Sequence, residues 1–181
     1  LLGVYGAAKR GNVEGVEKGE EAGLAFLGKV IANVSVFDKD GRESFLTFER
    51  GIGDVAITYE NEAYAGLDAG GEFEIVYPKS TLLIENPVAV VDVYAEKHGT
   101  LEVANAFVEF LYTPEAQAVF AKHGFRPVIE SVAKDDAFKD KYPAITDLFT
   151  VEEFDGWSSI RKNLFGDEGK ITKLIAEIKG K

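Results

Sequence analysis

Twice before residue 72 a short β-branched run leads through a turn into a helical pattern, and that alternation places the chain in the α/β class. Val34, Val36 and Phe37 read as a strand, Asp38-Lys39-Asp40-Gly41 as its turn, and Glu43 to Arg50 as a short helix stopped by Gly51. Asp54-Val55-Ala56-Ile57-Thr58-Tyr59 repeats the strand. Glu60 to Leu67 repeats the helix, which ends at Asp68-Ala69-Gly70-Gly71. Upstream, Leu1, Leu2, Val4, Tyr5 and Ala8 have helical spacing from the first position, with no polar cap and no leader pattern. The chain is therefore expected to begin inside a helix, with an upstream portion removed. Gly11-Asn12 closes that stretch, and Asn12 is expected to cap a second helix carrying Val16, Leu24, Leu27, Val30 and Ile31 despite its internal glycines.

From Phe73 the texture changes. Residues 74–78 and 82–84 are extended, Pro87 interrupts, and Val88-Ala89-Val90-Val91 is a continuous apolar run suited to a buried strand. Leu101 to Tyr112 carries Val103, Ala104, Phe107, Val108 and Leu111 on one helical face. Thr113-Pro114 restarts a helix in the favoured cap and first positions, and it ends at Gly124. Thr150 and Glu153 have capping-box spacing, Trp157 to Phe165 reads as helical, and Ile171, Leu174, Ile175 and Ile178 define a last amphipathic helix. The expected organisation is one unit over 1–72, with strands at 33–37 and 54–59, and a second over 73–181 entered through a crossing segment at 73–79.

At 181 residues the chain is one domain of ordinary size with some to spare, or two partial ones. Its net charge of −11 argues against nucleic acid, whose backbone requires clustered Lys and Arg. The 46% hydrophobic and 28% charged composition is that of a globular protein, and no apolar run approaches the ~20 residues of a helical membrane span. With no cysteine and two histidines, disulfides, thiol catalysis and cysteine-ligated zinc are excluded, and neither a metal nor a cofactor is expected. Absence of cysteine is compatible with export.

Glu60, Glu62 and Asp54 could supply paired carboxylates for acid–base chemistry, or form a solvated helix start complementing the macrodipole. His98 and His123 sit where helices end and read as structural. The Asp38 to Glu43 loop lacks the ligand alternation and the distal bidentate Glu of a calcium loop. The step from residues 34–37 through Gly41 into the helix near Glu43 is of another kind. A helix N-terminus after such a turn offers unpaired N–H groups and a positive dipole end, a receptor for an oxyanion that needs no lysine; an ordinary connection has the same local sequence.

Longer words carry a resemblance. Phe48-Glu49-Arg50-Gly51-Ile52-Gly53-Asp54-Val55, Tyr59-Glu60-Asn61-Glu62-Ala63 and Glu85-Asn86-Pro87-Val88-Ala89-Val90-Val91-Asp92 resemble the sulfate-binding family of solute-binding proteins that serve ATP-binding-cassette importers. Phe107 to Gln117, Gly124-Phe125-Arg126-Pro127, Leu148-Phe149-Thr150 and Gly156-Trp157 match as well. The block around Thr113-Pro114-Glu115 is shared with molybdate and phosphate binders, whereas the Arg-Gly-Ile-Gly-Asp-Val and Glu-Asn-Glu words are closer to sulfate. The resemblance covers nearly the whole chain. It is to the C-terminal half of family members, whose Ser-Gly-Gly anion-binding turn lies upstream of the match.

The resemblance implies a periplasmic-binding-protein-like (type II) α/β fold, with parts of two lobes joined by a hinge. It implies no enzyme but a periplasmic or other extracytoplasmic protein that captures sulfate and delivers it to a membrane permease. Thiosulfate, molybdate or another tetrahedral oxyanion is the alternative ligand. A folded remnant without ligand function, or a carboxylate-based enzyme, is the alternative of another class. The ligand contacts it implies here are the strand-to-helix turn at Gly41, Arg42, Glu43 and Ser44, and Tyr59 where some relatives carry Trp. The turn between Asp38 and Thr47 is one residue shorter than in relatives. Loss of neighbouring strands from a half-length chain predicts exposed sheet edges and self-association.

Overall fold

The computed structural model describes residues 1–180. In chain order its elements are α1 (Leu2–Lys9), α2 (Glu20–Asn33), α3 (Gly41–Glu49), α4 (Glu60–Asp68), β1 (Ser80–Leu82), α5 (Asp92–Lys97), α6 (Leu101–Leu111) and α7 (Pro114–Lys122). They continue with α8 (Glu130–Ala133), β2 (Asp147–Phe149), a 3₁₀ turn (Val151–Phe154), α9 (Gly156–Ile160), a π-helical turn (Arg161–Phe165) and α10 (Lys170–Lys179). Two compact units result. One comprises Leu1–Val36, Val76–Glu85 and Ala144–Lys181; the other comprises Phe37–Ile75 and Asn86–Pro143. Instead of one crossing near residue 72, the chain passes between units at 36/37, 75/76, 85/86 and 143/144.

The first unit is built on α1, α2, α10 and a two-stranded parallel sheet pairing Ser80 with Asp147, Thr81 with Leu148 and Leu82 with Phe149. Its core holds Leu2, Tyr5, Leu27, Ile31, Phe149, Ile160 and Ile171. The glycines of α2 have a packing reason: a Cβ on Gly23 would lie 3.0 Å from the Lys9 backbone nitrogen, so this face lets α1 approach closely. Asn12 does not cap α2, which begins at Glu20 after Gly19. Its amide nitrogen instead donates to Asp147 at 2.6 Å, beside donations from Ser80 Oγ and Arg10 Nη2 at the same distance. Nor does Thr150 form a capping box. Its side chain makes no cap hydrogen bond, and Glu153 pairs with Arg10.

Asp147 thus ties β2 to β1 and to the end of α1. Hydrogen bonds from Ser80, then Arg10 and Asn12, hold its carboxyl below the usual carboxylate range. A carboxyl depressed by folding stabilises the native state above its unfolded pKa and loses that contribution as pH falls through the folded value. Asp147→Asn is therefore expected to lower the urea midpoint at pH 7. The gap from the parent should close as pH drops below about 4. A gap independent of pH would show that the carboxylate charge is not what stabilises the latch.

The second unit gathers Phe45, Phe48 and Phe73, whose ring centroids lie 5.3 Å (Phe45–Phe73) and 6.1 Å (Phe48–Phe73) apart. Thr113 caps α7 through the Ala116 N–H with Pro114 following, as its sequence dictates. Buried Gln117 is satisfied at both ends, donating to the Leu111 carbonyl and accepting from the Val128 N–H. At the carbonyl end of α7, Lys141 Nζ donates to Ala121 and Lys122 and lies 4.7 Å from the Tyr64 ring centroid. Tyr142 donates to the Ala121 carbonyl at 2.6 Å; burial first, then the Glu60 charge, pushes its hydroxyl up to about 12.

The expected strands at 33–37 and 54–59 are absent as ladder strands, as are those at 74–78 and 88–91. Among the described residues only β1 and β2 pair. The run expected to be buried at 88–91 is instead largely exposed. A strand exists only where a neighbour takes its amides and carbonyls, so β-branched sequence without that neighbour remains irregular. No described helix is long and apolar enough to cross a membrane.

Candidate oxyanion site at the start of α3

Asp38-Lys39-Asp40 sets the entry to α3. Asp38 accepts from Thr47 Oγ1 at 2.8 Å, fixing the turn against the helix it precedes. Asp40, extended at φ −151° and ψ 178°, is the N-cap, and its carboxylate accepts the Glu43 N–H at 2.9 Å. The Glu43 carboxylate reaches back to the Lys39 N–H, so the two acids satisfy the turn reciprocally in the manner of a capping box. The Ser44 N–H is taken by the Asp40 carbonyl in the first helical turn, and its hydroxyl points to the Ile57 carbonyl at 3.4 Å. Gly41 and Arg42, at the first two helical positions, retain N–H groups with no intrahelical acceptor. Of the four turn residues expected as contacts, those two carry the open amides, while Glu43 and Ser44 have theirs engaged.

The structure brings Tyr59 to this turn. A Cβ on Gly41 would lie 2.5 Å from its ring and 3.3 Å from Thr58 Oγ1, and Thr58 donates to the Gly41 carbonyl at 2.7 Å. Gly41 is not in the left-handed region. The glycine is needed for close approach of the ring, not for an unusual φ. Tyr59 is 49% exposed, and its hydroxyl has no hydrogen-bond partner among the described residues.

The charges around the turn are already matched. Arg42 Nη1 lies 3.2 Å from a Glu62 carboxylate oxygen. Glu60 accepts both Arg126 Nε at 2.7 Å and Nη2 at 2.9 Å, a fork that joins the Tyr-Glu-Asn-Glu word to the Gly-Phe-Arg-Pro word. Gly124, at φ +90°, packs on Asn61 of α4, where a Cβ would lie 2.9 Å from the Asn61 Cα. Glu60 and Glu62 are thus anchors for guanidinium groups rather than a free carboxylate pair, and Asp54 is exposed outside these contacts. His98 and His123 follow α5 and α7 as C-caps. Among the described residues no group of three or more His, Asp or Glu is placed to hold a metal. Asp40, Thr58 and Arg126 also shape the site and are not among the contacts expected from sequence. Asp40 had a local signal in its three-residue spacing to Glu43, whereas Thr58 and Arg126 act only across the fold.

A model of the family described as bacterial extracellular solute-binding protein matches residues 6–126, a span holding every group of this site. The chain belongs to that family. A sulfate-binding protein of Synechococcus elongatus is 41% identical over 162 residues, covering 90% of this chain and 46% of its relative. A thiosulfate-binding protein of Escherichia coli is 38% identical over 180 residues, covering 97% of this chain and 51% of the other. The solved structure of the sulfate-binding protein SubI from Mycobacterium tuberculosis matches with a TM-score of 0.76 at 38% identity, over 91% of this chain and 54% of that one. This solute-binding protein therefore carries part of the periplasmic-binding-protein-like (type II) fold. The chain spans about half the length of the curated relatives it matches.

Proposed function

We propose that the chain is part of an extracytoplasmic binding protein that captures sulfate for an ATP-binding-cassette importer and hands it to the membrane permease. The observation that carries this reading is the pair of open amides at Gly41 and Arg42 beneath the Tyr59 ring, uncharged donors at the positive end of a helix. Donors of that kind hold a dehydrated dianion without a counter-charge, which suits a chain of net charge −11. Relatives named for sulfate binding support the ligand class. Thiosulfate is the second reading, supported by the relative named for it. The segment 73–79 is the proposed hinge, supported by the passage of the chain between its two units at 75/76.

Calorimetry on a protein carrying both halves of the fold tests this. Sulfate is expected to bind with an affinity that falls less than about tenfold between low and high concentrations of a non-competing salt, because hydrogen bonds in a closed cleft are poorly screened. A loss of several decades would assign binding to exposed basic residues. Thiosulfate displacing sulfate at equal concentration would favour the second reading.

In the same protein, Gly41→Val is expected to weaken sulfate by more than about 100-fold, since its Cβ would overlap the Tyr59 ring and shift the two amides. Arg42→Ala, which removes a guanidinium already paired with Glu62, should cost less than about tenfold. The reverse order would identify a guanidinium site.

A further inference from the structure

Tyr59, whose ring approaches the α3 turn at Gly41, is half exposed and makes no side-chain cap bond to α4, the helix it precedes. From within, the first turn of α4 is held by the Glu62 and Ala63 N–H groups, which donate to the Tyr59 carbonyl at 3.1 and 3.3 Å. The shorter bonds come from outside the helix. Glu60, the residue after Tyr59, receives both arms of the Arg126 fork at 2.7 and 2.9 Å. The guanidinium lies 5.4 Å from the Tyr142 ring centroid, and the Tyr142 hydroxyl is tied to the carbonyl end of α7. Glu62, the other acid of that turn, meets Arg42 in a single contact at 3.2 Å, from a guanidinium that is more than half exposed. All of these groups belong to the unit formed by Phe37–Ile75 and Asn86–Pro143.

We propose that Arg126 is a positioning residue for anion capture: through Glu60 it holds the start of α4, and so sets Tyr59 against the open amides of Gly41 and Arg42. With Nε and Nη2 given to Glu60, Arg126 acts on geometry and not as a counter-charge. An anion held by a few neutral donors needs those donors kept within about 0.5 Å of the productive arrangement. Position 41 shows how little room there is, since even a Cβ would lie 2.5 Å from the Tyr59 ring. Arginine suits the task because its planar fork fixes the carboxylate in orientation as well as in distance, whereas lysine supplies the charge without the fork. The inference rests on the anion reading of the α3 turn and adds to it the group that keeps the turn and Tyr59 in register.

Two measurements test it. In the 181-residue chain without sulfate, one Gly41 Cα hydrogen points along the direction in which a Cβ would meet the Tyr59 ring, so its NMR shift, referred to Tyr59→Ala, reports where the ring lies. Arg126→Gln is expected to remove most of that ring-induced displacement and Arg126→Lys to remove less, with the circular dichroism of both unchanged. In a protein carrying both halves of the fold, Arg126→Gln is expected to weaken sulfate at least about tenfold, and Arg126→Lys less. In a Tyr59→Ala background Arg126→Gln should cost less than about twofold, a coupling that a general loss of stability would not produce. Should Arg126→Gln fail to fold, Glu60→Gln opens the same fork from its other side and is expected to give the same two results. A parent protein that binds no sulfate would refute the anion reading and leave the Gly41 signal to decide the positioning role. An unmoved Gly41 signal, an unchanged sulfate affinity, or a loss as large without Tyr59 as with it would each overturn the proposal.

Discussion

By itself the 181-residue chain is expected to bind sulfate no tighter than about millimolar, at least a thousandfold weaker than a micromolar receptor. The donors it can offer are few. At the start of α3 only Gly41 and Arg42 keep open amides, because Asp40 caps the Glu43 N–H and the Ser44 N–H is in the helix. The Ser44 hydroxyl is directed to Ile57, the Arg42 guanidinium to Glu62, and the Tyr59 hydroxyl alone is added on that side. A dianion leaving water for so few partners recovers little of its hydration. The Tyr59 ring, half exposed, does not exclude solvent from it. Calorimetry of the chain alone at millimolar sulfate measures this directly. Micromolar binding would mean that the chain holds a complete donor set, and the site would have to be sought elsewhere in it.

Phe149→Ala is expected to destabilise the first unit by about 3–5 kcal/mol, much of the 5–15 kcal/mol that holds a typical domain. Phe149 is 1% exposed at the end of β2 and packs against Phe154, with ring centroids 6.0 Å apart. Leu148, one position earlier, points outward, so Leu148→Ala should cost less than about 1 kcal/mol. Gly6 supplies a second arm. A Cβ there would lie 2.5 Å from the Phe149 ring, so Gly6→Ala, which ordinarily favours a helix, should destabilise by about 1–3 kcal/mol. In the Phe149→Ala background the same change should become neutral or favourable. Urea titrations followed by circular dichroism read all four variants. Equal losses for Phe149→Ala and Leu148→Ala would refute the observed facing of β2, and additive losses for Gly6 and Phe149 would refute their contact.

Helices α3, α4, α6, α7 and α10 were legible because their signals are local, whereas α5 and α8 were not anticipated and α2 begins later than expected. Thr113-Pro114 fixed the start of α7, the glycines at 51 and 124 follow α3 and α7, and the 3.6-residue period located α6 and α10. The resemblance carried by the Arg-Gly-Ile-Gly-Asp-Val and Glu-Asn-Glu words led to the family that the comparisons show. Sequence determined the β-branched character of 34–37, 54–59 and 88–91, but whether such a run is a strand depends on a neighbour distant in the chain or outside it. Asn12 was misread for a related reason: a side chain suited to a cap was claimed by Asp147, 135 residues away.

At the site the division is the same. That a helix would begin near Gly41 followed from sequence, as did the local pairing of Asp40 with Glu43 once the spacing is read as a cap. Which amides remain open, why position 41 must lack a side chain, and that Arg126 rather than a second acid faces Glu60 were decided only when the fold set Thr58 and Tyr59 over the turn and Arg126 beside α4. Helix periodicity and caps are written within a few residues, so sequence alone determines them; ladder pairing, ring-to-backbone approach and ion pairing depend on three-dimensional neighbours, and these only the tertiary structure decides.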